Sequence, residues 1–184
     1  AKITNKPMGA VVHSNVGLLH GSMAVFNAWM DRVPLLLFGA TGPVDATKRR
    51  PWIDWIHTTK DQGQLIRNFI KWDDRPGSLQ HWAESATRAW KYAMTPPYGP
   101  VLLVPSIDLQ ESPIEEEPRP VIPQVPKISP PQAEDGALRE TAKMLVEAEA
   151  PVLRCDRLAR TPAGLKSQFE LAERLQAPVL AASG

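Results

Sequence analysis

The chain has 184 residues, room for one large or two small domains, with 43% apolar and 22% charged residues, ordinary values for a soluble globular protein. A net charge of +1 gives no electrostatic case for nucleic acid or an anionic membrane. No apolar run approaches a membrane span, no signal-peptide pattern opens the chain, and the single Cys155 excludes an internal disulfide, which fits a reducing cytoplasm.

In chain order, Ala1 to Pro7 is a polar lead-in. Met8-Gly9-Ala10-Val11-Val12 is a short apolar run that stops at His13-Ser14-Asn15-Val16-Gly17. Leu19, Met23, Phe26 and Met30 then recur at helical spacing, and Pro34-Leu35-Leu36-Leu37-Phe38 is a second apolar run ending at Gly39-Ala40-Thr41-Gly42-Pro43. Strand, helix, strand in some thirty residues is the smallest parallel crossover, and continuously apolar strands are those covered on both faces. The expected fold is therefore α/β, a parallel sheet with helices on both faces, with both turns at the carboxyl edge where such sheets place ligands.

A basic loop, Val44 to Pro51, leads to Trp52, Trp55 and Ile56 at helical spacing, then to a helical turn over Gln62 to Ile66 and a short strand over Asn68 to Trp72. Leu79, Trp82, Ala83, Ala86, Trp90 and Ala93 mark an amphipathic helix with Ser78 as its N-cap and Thr95-Pro96-Pro97 as its stop. Val101-Leu102-Leu103-Val104 is a third buried strand. Ser112 to Gln132 carries seven prolines and Glu115-Glu116-Glu117, and reads as a semi-rigid spacer between domains. Beyond it, Asp135 stands near the start of a helix through Leu138, Ala142, Leu145 and Val146. A strand over Pro151 to Leu153, a helix through Leu165, Phe169 and Leu175, and a strand over Ala177 to Ala181 suggest part of a second, Rossmann-like α/β domain. The expected boundaries are 1–111, a linker 112–133, and 134–184. The chain lacks an initial methionine and stops directly after an apolar strand, so it reads as part of a longer polypeptide.

These segments also resemble a known family. His13-Ser14-Asn15-Val16-Gly17, then Met23 to Pro34 with its "N-A-(aromatic)-x-D-x-x-P" wording, is similar to the pyrimidine-binding domain of thiamine-diphosphate-dependent enzymes of the acetolactate synthase and benzoylformate decarboxylase type. Gly99-Pro100-Val101 to Pro105 extends the resemblance, and Leu171 to Val179 resembles the start of the central domain. The resemblance implies a complete enzyme, lyase or transferase, that acts on a 2-oxo acid by decarboxylation or carboligation. It implies a homodimer or tetramer using thiamine diphosphate and magnesium. The family's glutamate toward the pyrimidine ring would lie upstream of Ala1. The metal and diphosphate motif would lie on a later domain, so no metal ligand is expected here, nor turnover by this chain alone.

The resemblance makes His13 the candidate for proton transfer, a role open to imidazole in either protonation state near neutrality. A strand-end histidine satisfied by backbone is the alternative. Asn15, Val16, Gly17 and His20 are the candidates for holding the aminopyrimidine ring, with Gly17 permitting close backbone approach; an ordinary strand-to-helix turn would read the same. His20 and Thr41 stand where family members commonly carry asparagine and glutamine, departures that bear on the substrate. Thr41, Arg50 and Trp52 are the candidates for substrate contact. Trp52, Trp55 and His57 suit a substrate wall, a subunit contact or plain packing, and Arg49-Arg50 suit an anionic group or a solvated loop. Arg154, Arg157 and Arg160 lie where some relatives carry a glycine-rich nucleotide turn, and the missing glycines argue against FAD. Competing readings are a non-catalytic α/β binding or scaffold module, and a nucleotide-dependent Rossmann protein, against which stands the absence of any G-x-G-x-x-G after a strand.

Overall fold

A computed structural model of the chain describes residues 1, 3–4, 6–114, 118–125, 127–129, 131–156 and 160–181. Glu115 to Glu117, Pro126, Pro130 and Arg157, read above from sequence, lie outside the described residues. The chain forms two compact units, Ala1–Pro130 and Pro131–Gly184.

The first unit is built on β1 (Met8–Val11), α1 (Ser14–Met30), β2 (Leu35–Phe38), a one-turn α2 (Asp54–His57), β3 (Trp72–Asp74), α3 (Leu79–Met94), β4 (Pro100–Leu103) and a short α4 (Ile107–Glu111). The four strands are all parallel, in the order β1-β2-β4-β3. Side chains alternate across a strand, and the core divides accordingly. Leu35, Leu37, Leu102 and Val104 pack with Leu18 and Val25 of α1 on one face. Val101 and Leu103, with Leu36 and Phe38, meet Ala89 and Ala93 of α3 on the other. β2 and β4 are thus covered on both faces between helices, whereas β1, apolar in sequence but at the edge of the sheet, is not: Met8 is 53% and Val11 82% exposed.

Ser78 caps α3 by accepting the His81 backbone N–H at 3.1 Å. The small residues Ala83, Ser85, Ala89 and Ala93 are the buried ones on α3, whereas Trp90 is largely exposed. On α1 the buried residues are Ser14, Leu18 and Val25, and Leu19, Met23, Phe26 and Met30 lie on the exposed side. The short strand expected over Asn68 to Trp72 begins instead at Trp72. Residues Arg67–Phe69 form a 3-10 turn whose Ile66 is fully buried against α1's core. The proline-rich stretch lies along α3 in this unit: the Gln80 amide accepts from the Val121 N–H at 2.8 Å and donates to the Val121 carbonyl at 3.1 Å.

In the second unit, α5 (Asp135–Glu147), β5 (Leu153–Cys155), α6 (Pro162–Leu175) and β6 (Val179–Ala181) place two parallel strands side by side. Helix α5 begins at Asp135, which the sequence places near its start, and its cap is Glu134. Its carboxylate takes the N–H groups of Gly136 and Ala137 at 2.7 Å each, and those bonds hold its pKa below the usual value. The strand expected at Pro151 to Leu153 is displaced toward Cys155. Thr161 caps α6 with Pro162 at its first position, and Gln176 in the left-handed conformation (φ 51°) ends it.

Candidate functional site

Strands β1 and β2 run in register from Met8 opposite Leu35 to Val11 opposite Phe38, so both release the chain at the same edge. There β1 hands over to α1 through a tight corner. His13 has extended backbone (φ −76°, ψ 100°) and Ser14, buried, adopts φ 45°. The first helical bond follows at once, from Gly17 N–H to the His13 carbonyl at 2.6 Å. A Cβ on Gly17 would stand 3.1 Å from the Val12 carbonyl carbon and Cβ, so glycine there lets α1 start against the end of β1.

Beside this corner, β2 ends at Phe38, and Thr41 ties the following loop to the segment after β4, opposite Ser106. The Thr41 N–H donates to the Pro105 carbonyl at 3.2 Å, and its carbonyl accepts from the Ile107 N–H at 2.9 Å. The two loops border one crevice of about 400 Å³, with Val12, His13 and Ser14 on one side and Gly39 to Gly42 on the other. Arg50, Asp54 and His57, brought back by α2, line it as well. The His13 and His57 rings meet edge to face with centroids 4.6 Å apart.

Three polar groups on this wall are instructive. Thr41 is 4% exposed, and its hydroxyl is buried with no hydrogen-bond partner. Arg50 reaches Asp54 at 3.3 Å and Glu111 at 3.6 Å, while its Nε is buried without a partner. Buried polar atoms are ordinarily satisfied, so these two are exceptions on the wall of the crevice. Asp54 in turn accepts the Arg50 backbone N–H at 2.6 Å, which fixes the arginine at both ends.

Of the sequence candidates, the crevice gathers His13, Thr41 and Arg50. Asn15, Val16, Gly17 and His20 lie on the first two turns of α1 outside its lining, and Trp52 is 73% exposed and also outside it. Asn15 accepts from the Ser14 hydroxyl at 3.1 Å. Sequence reasoning missed Asp54, Gln110 and, beneath the crevice, Gln62. The Gln62 side chain is 1% exposed and donates to the Ala40 carbonyl at 2.7 Å, pinning the crevice floor. A glutamine in the run Asp61-Gln62-Gly63-Gln64 carries no periodic signal that would reveal it.

Val11, Val12 and Ile107 give the crevice apolar walls, beside the polar His13, Arg50 and Asp54. Comparison with known proteins decides the family of folds. A thiamin diphosphate-dependent enzyme of Mycobacterium smegmatis, so described from its X-ray structure, superposes with a TM-score of 0.83 at 23% identity, covering 100% of this chain and 34% of that one.

The fold is that of thiamine-diphosphate-dependent enzymes. Benzoylformate decarboxylase from Polynucleobacter necessarius is similar at a TM-score of 0.81 and 23% identity, covering 98% of this chain and 33% of that one. The thiamine diphosphate-dependent 4-hydroxybenzoylformate decarboxylase of Rhodococcus jostii RHA1 matches at 0.75 and 19%, with coverage of 98% and 33%. In sequence, benzoylformate decarboxylase of Pseudomonas aeruginosa is 25% identical over 103 residues, 56% of this chain and 19% of that protein. No family model matches. The chain thus spans about a third of the length of these thiamine-diphosphate-dependent structures, and its matched part less than a fifth of the curated relative. No helix among the described residues is long and apolar enough to cross a membrane.

Proposed function

We propose that the chain forms part of a thiamine-diphosphate-dependent enzyme acting on a 2-oxo acid by decarboxylation or carboligation. Residues 1–111 would hold the aminopyrimidine ring, 112–133 would link, and 134–184 would begin the central domain. Supporting this is one observation above others: His13 and Thr41 border a single crevice at the carboxyl edge of adjacent parallel strands. When bound, the coenzyme would supply the carbanion and the electron sink that 2-oxo acid chemistry needs.

The chain's own residues then have definable work. His13 would hold or release a proton at the oxygen of the reacting carbonyl, with His57 edge-on beside it to restrict its ring. Arg50, whose Nε lacks a partner, would hold the substrate carboxylate, and the Thr41 hydroxyl would donate to a ring nitrogen or a carbonyl oxygen. Asn15, Val16 and His20 are proposed on the coenzyme side from their place on α1 beside the corner. Gly17 would act through the backbone, letting that helix sit against Val12. Trp52, exposed, is proposed to wall the substrate only where a further chain segment covers it. Magnesium would be held on another domain, and the complete enzyme would be a dimer or tetramer in the cytoplasm.

Calorimetric titration of the full-length protein with thiamine diphosphate and magnesium tests this, followed by assay of carbon dioxide release from benzoylformate and aliphatic 2-oxo acids. Saturable binding is expected. A well-folded sample giving no heat would remove the coenzyme and leave a non-catalytic module with the same fold.

A further inference from the structure

Next to the crevice, and sharing Thr41, Gly42 and Asp54 with it, lies a larger cavity of about 850 Å³. Arg49, Lys60 and Arg75 all line it, with the Trp55 indole beside them. These three cations come from separate loops, so their meeting is a product of the fold rather than of a basic run. Asp54 is the one carboxylate on the wall, and Arg50 engages it from both backbone and side chain (2.6 and 3.3 Å). Asp45 near Arg49 takes both the N–H and the hydroxyl of Thr47. Asp74, beside Arg75 in sequence, is held by Ser85 and His81. No ion pair joins Arg49, Lys60 or Arg75 to a carboxylate among the described residues.

The same wall carries two unsatisfied hydroxyls. Thr59 Oγ1 is buried without a partner, and so is Oγ1 of the 96%-buried Thr41. A buried hydroxyl is normally hydrogen-bonded, and three cations around one hollow repel each other, with Arg49 attracted by the Asp45 carboxylate without an ion pair between them. An oxyanion relieves both at once, accepting from the Thr59 hydroxyl and neutralising the cations with charge-assisted bonds. We propose that this cavity binds a small polyanion carrying adjacent oxyanion groups, phosphate or polycarboxylate, held by Arg49, Lys60, Arg75 and Thr59. The site is separate in its residues from the His13 side of the crevice, and its occupant stands against the far side of the Thr41–Gly42 wall.

The test is calorimetric titration of the full-length protein, without coenzyme, using inorganic pyrophosphate in one arm and citrate in the other. Saturable binding of at least one is expected, weakening as salt rises from about 50 to about 200 mM. The Arg49→Gln/Lys60→Gln/Arg75→Gln variant should bind at least about tenfold more weakly. A control, Lys91→Gln/Lys143→Gln/Lys166→Gln, removes as many charges elsewhere and should stay within about twofold of the parent. Pyrophosphate alone binding assigns a phosphate ligand, citrate alone a polycarboxylate, and either supports the site. Circular dichroism checks folding; should the triple variant unfold, Arg75→Gln and Thr59→Val separately must each weaken binding about threefold or more. No saturable heat in either arm, or equal weakening by cavity and control variants, overturns the proposal. Heat from pyrophosphate at the coenzyme's own diphosphate site would survive the Arg49→Gln/Lys60→Gln/Arg75→Gln variant, and a signal unchanged by that variant overturns the proposal, so this result stands apart from thiamine diphosphate binding.

Discussion

His13 and His57 reach the crevice from different elements, one at the corner after β1 and one at the end of α2, and their rings meet edge to face at 4.6 Å. The pairing makes His57 a support for the orientation of His13. For the full-length enzyme, His13→Ala is expected to lower kcat by about 10²–10⁴-fold while leaving thiamine diphosphate affinity within a few-fold. His57→Ala should lower kcat less and shift the pH profile of kcat/KM. Steady-state kinetics with calorimetric coenzyme titration reads both, and an unchanged kcat in His13→Ala would remove its proton-transfer role.

Gly42 has no room for a side chain. Its N–H donates to Thr58 Oγ1 at 3.1 Å, and a Cβ would fall 2.3 Å from that oxygen and 3.3 Å from Asp54 Cβ. Gly42→Ala should therefore destabilise by about 1–3 kcal/mol, by overpacking, in urea denaturation. Gly77, with open space around its position, is the contrast: Gly77→Ala should not introduce a clash.

Gln62 holds the floor of the crevice through the Ala40 carbonyl (2.7 Å). Gln62→Leu keeps the volume and strands that carbonyl, for an expected loss of about 1–3 kcal/mol by chemical denaturation. Ligand affinity in the crevice should fall with it, because Gly39 to Thr41 line the site.

Acid should loosen the loop before β3. Arg67 bridges Asp61 (2.9 and 3.0 Å) and Asp73 (2.6 and 2.9 Å), and its bond to Asp61 is the main cause holding that carboxyl below its usual 3.8. A folded-state pKa below the unfolded value gives stability that is present above the unfolded value and lost as pH falls through the folded one. Denaturant midpoints should thus drop on acidification through and below the ordinary carboxylate range, and Arg67→Gln should flatten that dependence. Asp61 and Arg67 are both well exposed, so the change should be modest.

Three strands of the sheet, β1, β2 and β4, were legible because they are continuously apolar in sequence and the crossover between the first two is short. Those two facts forced His13 and Thr41 to a common edge before any coordinates. What could not be read was whatever depends on irregular chain: β3 begins at Trp72 because Ile66 and Ile70 are drawn into the α1 core, leaving 3-10 turns where alternation suggested a strand. Asp54 and Gln62 escaped notice for the same reason, since both sit in irregular chain, Asp54 bonded to the Arg50 backbone just before it and Gln62 to the Ala40 carbonyl on another segment. On α1 apolar residues stand on every side, so the spacing was legible but not the face, and the large residues chosen by spacing are the exposed ones.

The double tether at Thr41, from its N–H to Pro105 and from its carbonyl to Ile107, has a bearing on ligand design and on evolution. A side chain whose backbone is anchored at both polar groups is already placed before anything arrives, so little backbone freedom remains to be surrendered on association. Selectivity at this edge is then open to change by altering one side chain, whereas reshaping the backbone would require breaking two strand ends apart.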